Sequence, residues 1–329
     1  MKSLSFNVYG IRAKINCADQ LFLNFIQKNY SPFVVNDNDF LNIEIFFSPN
    51  DGNIARSKTH DMLRVGKGIY FTENSIYWEN DYGFSFFLSF LSPDRWIIRS
   101  FHFNLSQILS EGNRYMNYMR SMRWVLHFPI FCFLEKFKSI SLIHASAVSK
   151  NGTGVIFGGL NKVGKSSLAR YLYDHHQFDF VCDNFLLTDH NRLYPFPEMF
   201  RLSSESLTNL SLSVDNKVQI YGKFHIPVPL ERIATSVKPC YIFLVTNSSK
   251  FFIKPITLSY FSAVLGGIHD YLGEFPQYTF YSLLSSTAFD YKPSVLPSYS
   301  NTNTKAFLMS MPFDWNFDYT TSEVLRYVR

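Results

Sequence analysis

Nine consecutive residues near the middle of the chain combine glycine, lysine and serine in a spacing that suits phosphate binding. They are Gly159, Leu160, Asn161, Lys162, Val163, Gly164, Lys165, Ser166 and Ser167, and the first eight fit the pattern G-x-x-x-x-G-K-[ST]. In such a loop, backbone N–H groups and the positive end of a helix dipole point at one place, where phosphates bind. We predict a nucleotide site in which Lys165 reaches the β- and γ-phosphates and Ser166 binds Mg²⁺.

Asp183 is the second candidate for chemistry. Residues 178–183 form a short, mostly apolar run that predicts a strand, and Asp183 is its last residue. An acid at the carboxyl end of a strand near a phosphate loop can meet the Mg²⁺ of the nucleotide. We therefore predict that Asp183 and Ser166 bind the metal together.

His144 is the third candidate, because a hairpin would bring it to the loop. Residues 142–148 and 153–157 read as two strands joined by Asn151-Gly152, the strongest short signal for a two-residue turn. The register that this turn fixes places His144 opposite Gly159, and directly opposed residues lie about 5 Å apart. We predict that His144 steadies the phosphates or an incoming hydroxyl. The alternative is a histidine that only hydrogen-bonds locally at a strand end.

The phosphate loop needs a strand before it and a helix after it, and the sequence predicts both. Residues 154–158 form a short buried-strand run before the loop. After it, four residues share one helical face: Leu168, Ala169, Tyr171 and Leu172. His175 and His176 fall where this helix should end, and cationic side chains there suit the helix dipole.

The length of 329 residues suits two domains that each bury a core. We predict an α/β fold. Residues 1–138 would form a mostly-β α+β domain with a linking helix, acting as an accessory or substrate-recognition domain. Residues 139–329 would form the phosphate-loop domain, with a mixed sheet and flanking helices.

Apolar periodicity predicts several strands and one helix in the first domain. The strand runs are 4–8, 43–47, 75–78, 84–90 and 96–101, with a hairpin turn at 65–69. The helix would span Asp19 to Lys28. Its buried face is expected to hold Leu21, Phe22, Phe25 and Ile26.

Two stretches of the first domain allow two interpretations. Residues 36–39 offer carboxylate and amide oxygens to a metal, but such a run is more often a solvated loop. Residues 104–138 have a helical period, with a break expected near Pro129. The apolar stripe of this segment includes Tyr115, Met116, Met119 and Met122. The stripe is either a partner-binding groove or core packing, and we favour core packing.

Residues 201–329 carry little recognisable chemistry. The segment 203–206, rich in serine, is either an acceptor-side loop or the start of a helix. Three basic residues could face an anionic group of a substrate or simply lie on the surface: Lys217, Lys223 and His225. Helices are expected at 257–272 and 321–328, strands at 241–245 and 306–309.

Composition excludes several classes of protein. The formal net charge is +5, and the 31 Lys and Arg include no run of five, so no nucleic-acid partner is indicated. The four cysteines are far apart and lack a C-x-x-C pair, which predicts neither a zinc site nor a disulfide framework. The strongest apolar run, residues 124–134, is shorter than the roughly 20 residues of a spanning helix, and residues 1–6 lack the apolar core of a signal peptide. These features predict a cytoplasmic protein that does not enter a membrane.

The stretch from about 141 to 190 resembles the HPr kinase/phosphorylase family, and in particular the HPr kinase-related proteins that modify peptides, such as lasso-peptide serine kinases. The matching elements are the strand 144–148 with its histidine, the loop 159–166 and the strand end Val181-Cys182-Asp183-Asn184. The resemblance implies an HPr kinase-like domain that uses ATP and Mg²⁺ to phosphorylate a serine of a peptide or protein. It leaves open whether the protein is an oligomer.

The sequence departs from the family pattern at two places. The family's second acid is Asn184 here, whose amide oxygen can bind Mg²⁺ but cannot accept a proton at neutral pH. Asp183 is then the remaining candidate for a carboxylate base. There is also no counterpart of the Glu-Ile-Arg-Gly stretch of the bifunctional members, so phosphorylase activity and hexameric assembly are not carried over.

We therefore expect a kinase whose catalytic residues are Asp183, His144 and Lys165, with Mg²⁺ held by Ser166, Asp183 and Asn184. Two alternatives stay open. One is a small-molecule kinase on the same scaffold, acting on a free amino acid, sugar or nucleoside. The other is a nucleotide-gated binding module with little turnover, which the replacement of an acid by Asn184 favours.

Overall fold

The fold is that of a computed structural model of the chain. The residues described are 2–36, 40–48, 58–66, 68–79, 84–102, 118–119, 121–189, 191–196, 198–210, 218–220, 223–272, 303–312 and 314–328. They divide into two compact units, the first within residues 2–138 and the second within residues 139–272 and 303–328. Residues 37–39 of the predicted polar run, Tyr115, Met116 and Lys217 lie outside the described residues.

The first unit is built on a mixed sheet that has nine strands among the described residues. The strands are β1 (Lys2–Val8), β2 (Ile11–Cys17), β3 (Val34–Val35), β4 (Ile43–Ser48), β5 (Leu63–Gly66), β6 (Ile69–Thr72), β7 (Ser75–Glu79), β8 (Phe84–Ser92) and β9 (Arg95–His102). Their order across the sheet is β3-β1-β2-β4-β9-β8-β7-β6-β5, with β2, β4 and β9 parallel to one another. The strand runs predicted from periodicity are confirmed, and β2 and β3 are additional strands.

Helix α1 (Gln20–Tyr30) begins where the Asp19 carboxylate accepts hydrogen bonds from the N–H groups of Leu21 and Phe22. This cap fixes the helix start and therefore the face that packs inward. The buried side chains are Phe22, Leu23, Ile26 and Tyr30. Leu21 is 55% exposed, so its predicted place on the buried face is wrong, because Leu23 occupies that face instead. The other helical elements described before residue 118 are two short 3₁₀ turns, at Ser31–Phe33 and Lys58–Asp61.

The expected helix break near Pro129 is also wrong. A π-helical turn, Arg123–His127, leads directly into α2 (Phe128–Lys138), in which Pro129 is the second residue. The Phe128 N–H donates to the carbonyl of Arg123, five residues back, so the irregular hydrogen bonding lies before the proline. Pro129 therefore lies inside a continuous helical segment, and the wider turn just before it lets the helix continue past a residue that has no N–H to donate. In the described part of the apolar stripe, Met119 and Met122 are buried, which agrees with core packing.

The second unit is built on a six-stranded mixed sheet and two smaller three-stranded sheets, counted over its described residues. Its strands are β10 (Ser141–Ile143), β11 (Ala145–Lys150), β12 (Thr153–Gly159), β13 (Asp179–Asp183), β14 (Leu186–Thr188), β15 (Leu193–Tyr194), β16 (Phe200–Ser203), β17 (Val218–Ile220), β18 (Lys223–Ile226), β19 (Lys238–Asn247), β20 (Phe252–Ile256) and β21 (Lys305–Met311). The six-stranded sheet has the order β13-β11-β12-β19-β21-β20. β12, β19 and β21 run parallel, and the remaining neighbours in this sheet are antiparallel.

Helices cover both faces of this sheet. The helices of the unit are α3 (Lys165–His175), α4 (Ser204–Asn209), α5 (Leu258–Leu272) and α6 (Phe317–Tyr327), with a 3₁₀ turn at Leu230–Arg232. The buried cluster on one face contains residues of α3 and α6, while the cluster on the other face contains Phe261 and Leu265 of α5. Alternate residues of β12 enter the two clusters, since Phe157 packs in the first and Ile156 in the second. The predicted α/β fold class with a mixed sheet and flanking helices is confirmed.

The hairpin register that the Asn151-Gly152 turn predicts is confirmed from Lys150–Thr153 to Ala145–Gly158. The predicted helix at 257–272 and the strands at 241–245 and 306–309 are confirmed by α5, β19 and β21. The last helix begins at Phe317, four residues before the predicted start at 321. The reason is its cap, because the Asn316 side chain accepts a hydrogen bond from the Tyr319 N–H. Within the described residues, no helix combines the length and apolarity that crossing a membrane requires.

Gly159 is the glycine at which a side chain would disturb the second unit most directly. Its φ is +135°, and a Cβ built there would lie 2.3 Å from the carbonyl oxygen of Val245. Gly152 also has a positive φ, +76°, but the nearest atom to its Cβ position is 3.6 Å away. We expect Gly159→Ala to lower the free energy of unfolding by at least about 2 kcal/mol, and Gly152→Ala by about 1 kcal/mol. Urea unfolding followed by circular dichroism measures both, and equal losses would contradict the clash.

Candidate functional site

The backbone of the predicted phosphate loop has the conformation that exposes N–H groups. Lys162 and Gly164 both have positive φ angles, +65° and +98°. Gly164 is the N-cap of α3, so the helix begins at Lys165 and its first N–H groups face the loop. A Cβ on Gly164 would lie 2.9 Å from Met311 Cε, so the end of the methionine side chain would have to move, and the positive φ would strain any residue other than glycine. The loop therefore has the turn and the helix N-terminus that phosphate binding requires.

Lys165 is held inside the loop. Its side chain is buried, and Nζ donates hydrogen bonds to the carbonyl oxygens of Gly159 at 2.8 Å and Leu160 at 2.7 Å. An ammonium group has three donors, and these carbonyls orient it at the start of α3. The positive charge is thus fixed where the loop and the helix N-terminus converge.

Asp183 is the most buried acid near the loop, with 1% of its surface exposed. Its Oδ1 accepts hydrogen bonds from the hydroxyls of Ser146 at 2.6 Å and Ser166 at 2.7 Å, and its Oδ2 accepts one from the Arg201 N–H at 3.0 Å. A carboxylate that only accepts hydrogen bonds fits this set of donors. β13 positions the acid, because Asp183 lies opposite Ser146 of β11.

The pair formed by Ser166 and Asp183 fits a magnesium ion. Neighbouring oxygens around octahedral Mg²⁺ lie about 3 Å apart, since each is about 2.1 Å from the metal. The Ser166 and Asp183 oxygens are 2.7 Å apart, close to that spacing. No group of three His, Cys, Asp or Glu side chains suited to a metal occurs among the described residues. A magnesium site of this type needs only these two protein oxygens, because phosphates and water supply the rest.

Asn184 makes a different contact. Its backbone has a φ of +81°, a region that asparagine tolerates better than most residues. Its Oδ1 accepts a short hydrogen bond from the Arg201 guanidinium. The amide oxygen predicted to bind metal is therefore bonded to a cation, while Asp183 faces Ser166.

These side chains line one open cavity of about 1310 Å³ in the second unit. The predicted site residues in its lining are His144, Asn161, Lys162, Val163, Gly164, Lys165, Ser166, Ser167, Asp183 and Asn184. The lining drawn from the described residues does not include Gly159 and Leu160, whose carbonyls hold Lys165. His144 lies between β10 and β11 and is 8% exposed. The hairpin ladder stops one residue short of the expected pairing of His144 with Gly159, at Ala145–Gly158.

The remaining predicted residues divide between the cavity and the core. Lys223 lines the cavity, and burial together with the nearby Arg201 lowers the pKa of its ammonium group. His225 is buried in β18 and does not belong to the described lining. Ser203 is the N-cap of α4, so the serine-rich segment is a helix start. Ser167, on the loop side, is joined to α4 through a 2.9 Å hydrogen bond with Ser206.

The end of α3 forms another wall. His175 is the last residue of α3 and lines the cavity, while His176 is the C-cap. Burial and the neighbouring His175 lower the pKa of His176. Tyr171 donates a short hydrogen bond to Asp318, and burial together with this bond raises the pKa of Tyr171 to about 12.

Three contributors to the site are not found by sequence reasoning alone. Ser146 lies in β11 directly opposite Asp183, and this pairing identifies it once β11 is known to pair with β13. Arg201 comes from β16 and carries no local pattern. Trp315 lies between β21 and α6, and only the parallel order of β12, β19 and β21 brings it to the loop.

The hydroxyl of Ser146 should stabilise the second unit through Asp183. We expect Ser146→Ala to lower the free energy of unfolding by about 1–3 kcal/mol, because a buried carboxylate then loses a hydrogen bond. Ser149→Ala is the matched control, since Ser149 is buried on the same strand but lies opposite Asp179. Urea unfolding compares the two variants. A loss for Ser146→Ala no larger than for Ser149→Ala would contradict this role.

Comparison with known proteins gives matches among solved structures only. No protein-family model matches the chain, and no curated protein matches it. Among solved structures, the chain is similar to the Hpr(Ser) kinase/phosphatase from Coxiella burnetii. The identity is 15%, the similarity covers 57% of this chain and 96% of that chain, and the TM-score is 0.28. A TM-score of this size supports no conclusion about function.

Proposed function

We propose that the protein is an ATP- and Mg²⁺-dependent kinase that transfers the γ-phosphoryl group to a hydroxyl, in the first place a serine of a peptide or protein. The observation that carries this proposal is the 2.7 Å contact between Ser166 at the start of α3 and Asp183 at the end of β13. A phosphate loop alone supports nucleotide binding. A phosphate loop with a metal-compatible pair of oxygens beside it supports phosphoryl transfer.

Each residue has a role in this proposal. Lys165 and the loop N–H groups hold the β- and γ-phosphates, and Ser166 and Asp183 hold Mg²⁺. Bound there, Mg²⁺ would neutralise charge on the phosphate oxygens. His144 orients the γ-phosphate or the acceptor hydroxyl from the wall of the cavity. Positioning and charge neutralisation supply most of the rate.

The transfer itself exchanges one bond to phosphorus for another. The acceptor oxygen bonds to the γ-phosphorus, and the bond from that phosphorus to the bridging oxygen of the leaving ADP breaks. The proton of the acceptor hydroxyl passes to Asp183, the candidate base. Arg201 keeps Asn184 occupied, so Asn184 contributes to the site through Arg201 and not as a base.

The acceptor class rests on the shape and charge of the cavity. An open cavity of about 1310 Å³ is larger than a nucleotide needs, and Arg201 and Lys223 add positive charge beside Asp183. This favours an extended or anionic acceptor, such as a peptide segment, over a small neutral molecule. In this proposal, residues 1–138 act in acceptor recognition.

A second candidate function is a nucleotide-gated binding module. The contact between Asn184 and Arg201 favours it, because the position of the second acid is occupied by an amide bonded to a cation. In that case the loop would bind Mg²⁺ and ATP, and the γ-phosphoryl group would stay in place.

Incubation with γ-labelled ATP and Mg²⁺ separates these functions. The protein is tested alone, with a library of serine-containing peptides and with a mixture of amino acids, sugars and nucleosides. We expect label on the peptides, and none on peptides in which alanine replaces serine. Label on the small molecules only would make the protein a small-molecule kinase, and label that stays in ATP under all conditions would favour the binding module.

A further inference from the structure

A row of aromatic side chains lies beside the phosphate loop, and the proposed kinase roles do not use it. It comes from the segment between β21 and α6. β12, β19 and β21 are parallel neighbours, so their carboxyl ends reach the same edge of the sheet. The loop follows β12, Asn247 ends β19, and residues 312 and 314–318 follow β21. All three segments contribute to the same cavity. Ligands of open α/β sheets bind outside this edge.

Trp315 packs directly against the loop. A Cβ built on Gly164 would lie 3.3 Å from Cζ2 of the indole, so the ring occupies the space next to the turn that precedes Lys165. The ring centroid of Trp315 is 4.1 Å from that of Phe317, which is buried. Phe317 in turn stacks on Tyr171 of α3 at 5.4 Å and 20°. The indole is therefore held in place from behind while it remains half-buried in the cavity wall.

The charges of the cavity are divided in a way that orients a nucleotide. Lys165, Arg201 and Lys223 lie on the side of the loop and Asp183. The acids Asp314 and Asp318 line the cavity from the same segment as Trp315, one residue before it and three residues after it. A polyphosphate is attracted to the cations at the loop and repelled by the acids next to Trp315 in the chain, so the uncharged end of the nucleotide belongs beside Trp315.

We infer that Trp315 is the stacking surface for the nucleobase of the nucleotide whose phosphates bind the loop. This rests on the proposed nucleotide function and adds the position of the base. An aromatic ring fixed by packing can stack on a planar base with little loss of side-chain freedom. Asn247 and Asp314 also line the cavity and offer hydrogen-bonding groups to the ribose and the base edge.

The test compares ATP with inorganic tripolyphosphate, which has the phosphates but no base. Isothermal titration in Mg²⁺ measures the Kd of both for the full chain and its variants. We expect Trp315→Ala to raise the Kd of ATP by about 5- to 150-fold and to leave the Kd of tripolyphosphate within about twofold of its original value. Trp315→Phe should keep most of the ATP affinity, because a ring remains. Tyr260→Ala, which removes an exposed aromatic from α5, is the matched control and should change neither Kd.

The outcomes separate the base site from the proposed function. If ATP affinity is unchanged in Trp315→Ala, or if ATP and tripolyphosphate lose affinity equally, the base site is overturned. If the unsubstituted protein binds neither compound, the nucleotide function itself fails.

Fluorescence provides a second measurement that does not depend on the alanine variant folding. Trp315 is the one tryptophan after residue 138 in the sequence, since the other three are Trp78, Trp96 and Trp124. We expect ATP, but not tripolyphosphate, to change the emission that Trp315→Phe removes. No change in that emission at saturating ATP would overturn the proposal.

Discussion

Asp183→Asn should retain ATP binding and lose phosphoryl transfer by at least about 10³-fold. The substitution keeps an oxygen that can accept from Ser146 and Ser166. It removes the negative charge that pairs with Mg²⁺ and the group proposed to take the acceptor proton. Because Lys165 and the loop N–H groups are unchanged, the phosphates keep their main contacts. The measurements are the Kd of ATP by titration and the rate of γ-phosphoryl release.

Asp179→Asn is the matched control for this prediction. Asp179 lies at the other end of the same strand, β13, and its side chain is 48% exposed beside Arg232. If this variant transfers phosphate at an unchanged rate, the loss of transfer in Asp183→Asn is specific to the end of β13 that lies at the loop. Full activity in Asp183→Asn would contradict the proposed roles, whatever its effect on stability.

Lys165→Ala should weaken ATP binding and transfer together. Nζ lies within hydrogen-bond distance of two loop carbonyls at the start of α3, where the β- and γ-phosphates are proposed to bind. Loss of a charged hydrogen-bonding group in a partly water-excluded site costs about 2–4 kcal/mol, so the Kd of ATP should rise by about 30- to 800-fold. The Kd of tripolyphosphate should rise by a similar factor, because the contact is to phosphate.

Lys150→Ala is the control for charge alone. Lys150 is an exposed cation in the β11–β12 hairpin, at the end far from the phosphate loop, where its Nζ donates to the carbonyl of His176. It should bind ATP as the unsubstituted protein does. An unchanged Kd for ATP in Lys165→Ala would mean that the loop does not hold the phosphates.

Local sequence patterns predict much of the second unit. The loop, the strand before it and the helix after it follow from a short motif flanked by apolar periodicity. The Asn151-Gly152 turn predicts the register of β11 and β12 pair by pair. Apolar periodicity does not give the exact start of a helix, which the N-cap side chain determines. Asp19 sets the face of α1, and Asn316 starts α6 before its apolar period becomes visible.

Contacts between distant segments are the part that the sequence does not predict. Ser146 meets Asp183 only because β11 pairs with β13, and Arg201 reaches Asn184 from a different sheet. Trp315 reaches the loop because β21 is the second strand beyond β12, an order that no local pattern encodes. Residue types and spacings therefore identify the chemistry of the loop, while the neighbours that complete it depend on strand order.

We propose that the loop, Ser166 and Asp183 form one site for Mg²⁺ and a nucleoside triphosphate. A crystal structure with Mg²⁺ and a non-hydrolysable ATP analogue tests it most directly. We expect the β- and γ-phosphates within the loop, Lys165 Nζ moved from the carbonyls of Gly159 and Leu160 to phosphate oxygens, and Mg²⁺ about 2.1 Å from Ser166 Oγ. A carboxylate oxygen of Asp183 should bind the same ion directly or through one water. Phosphates bound away from the loop, or a metal that contacts neither Ser166 nor Asp183, would contradict it.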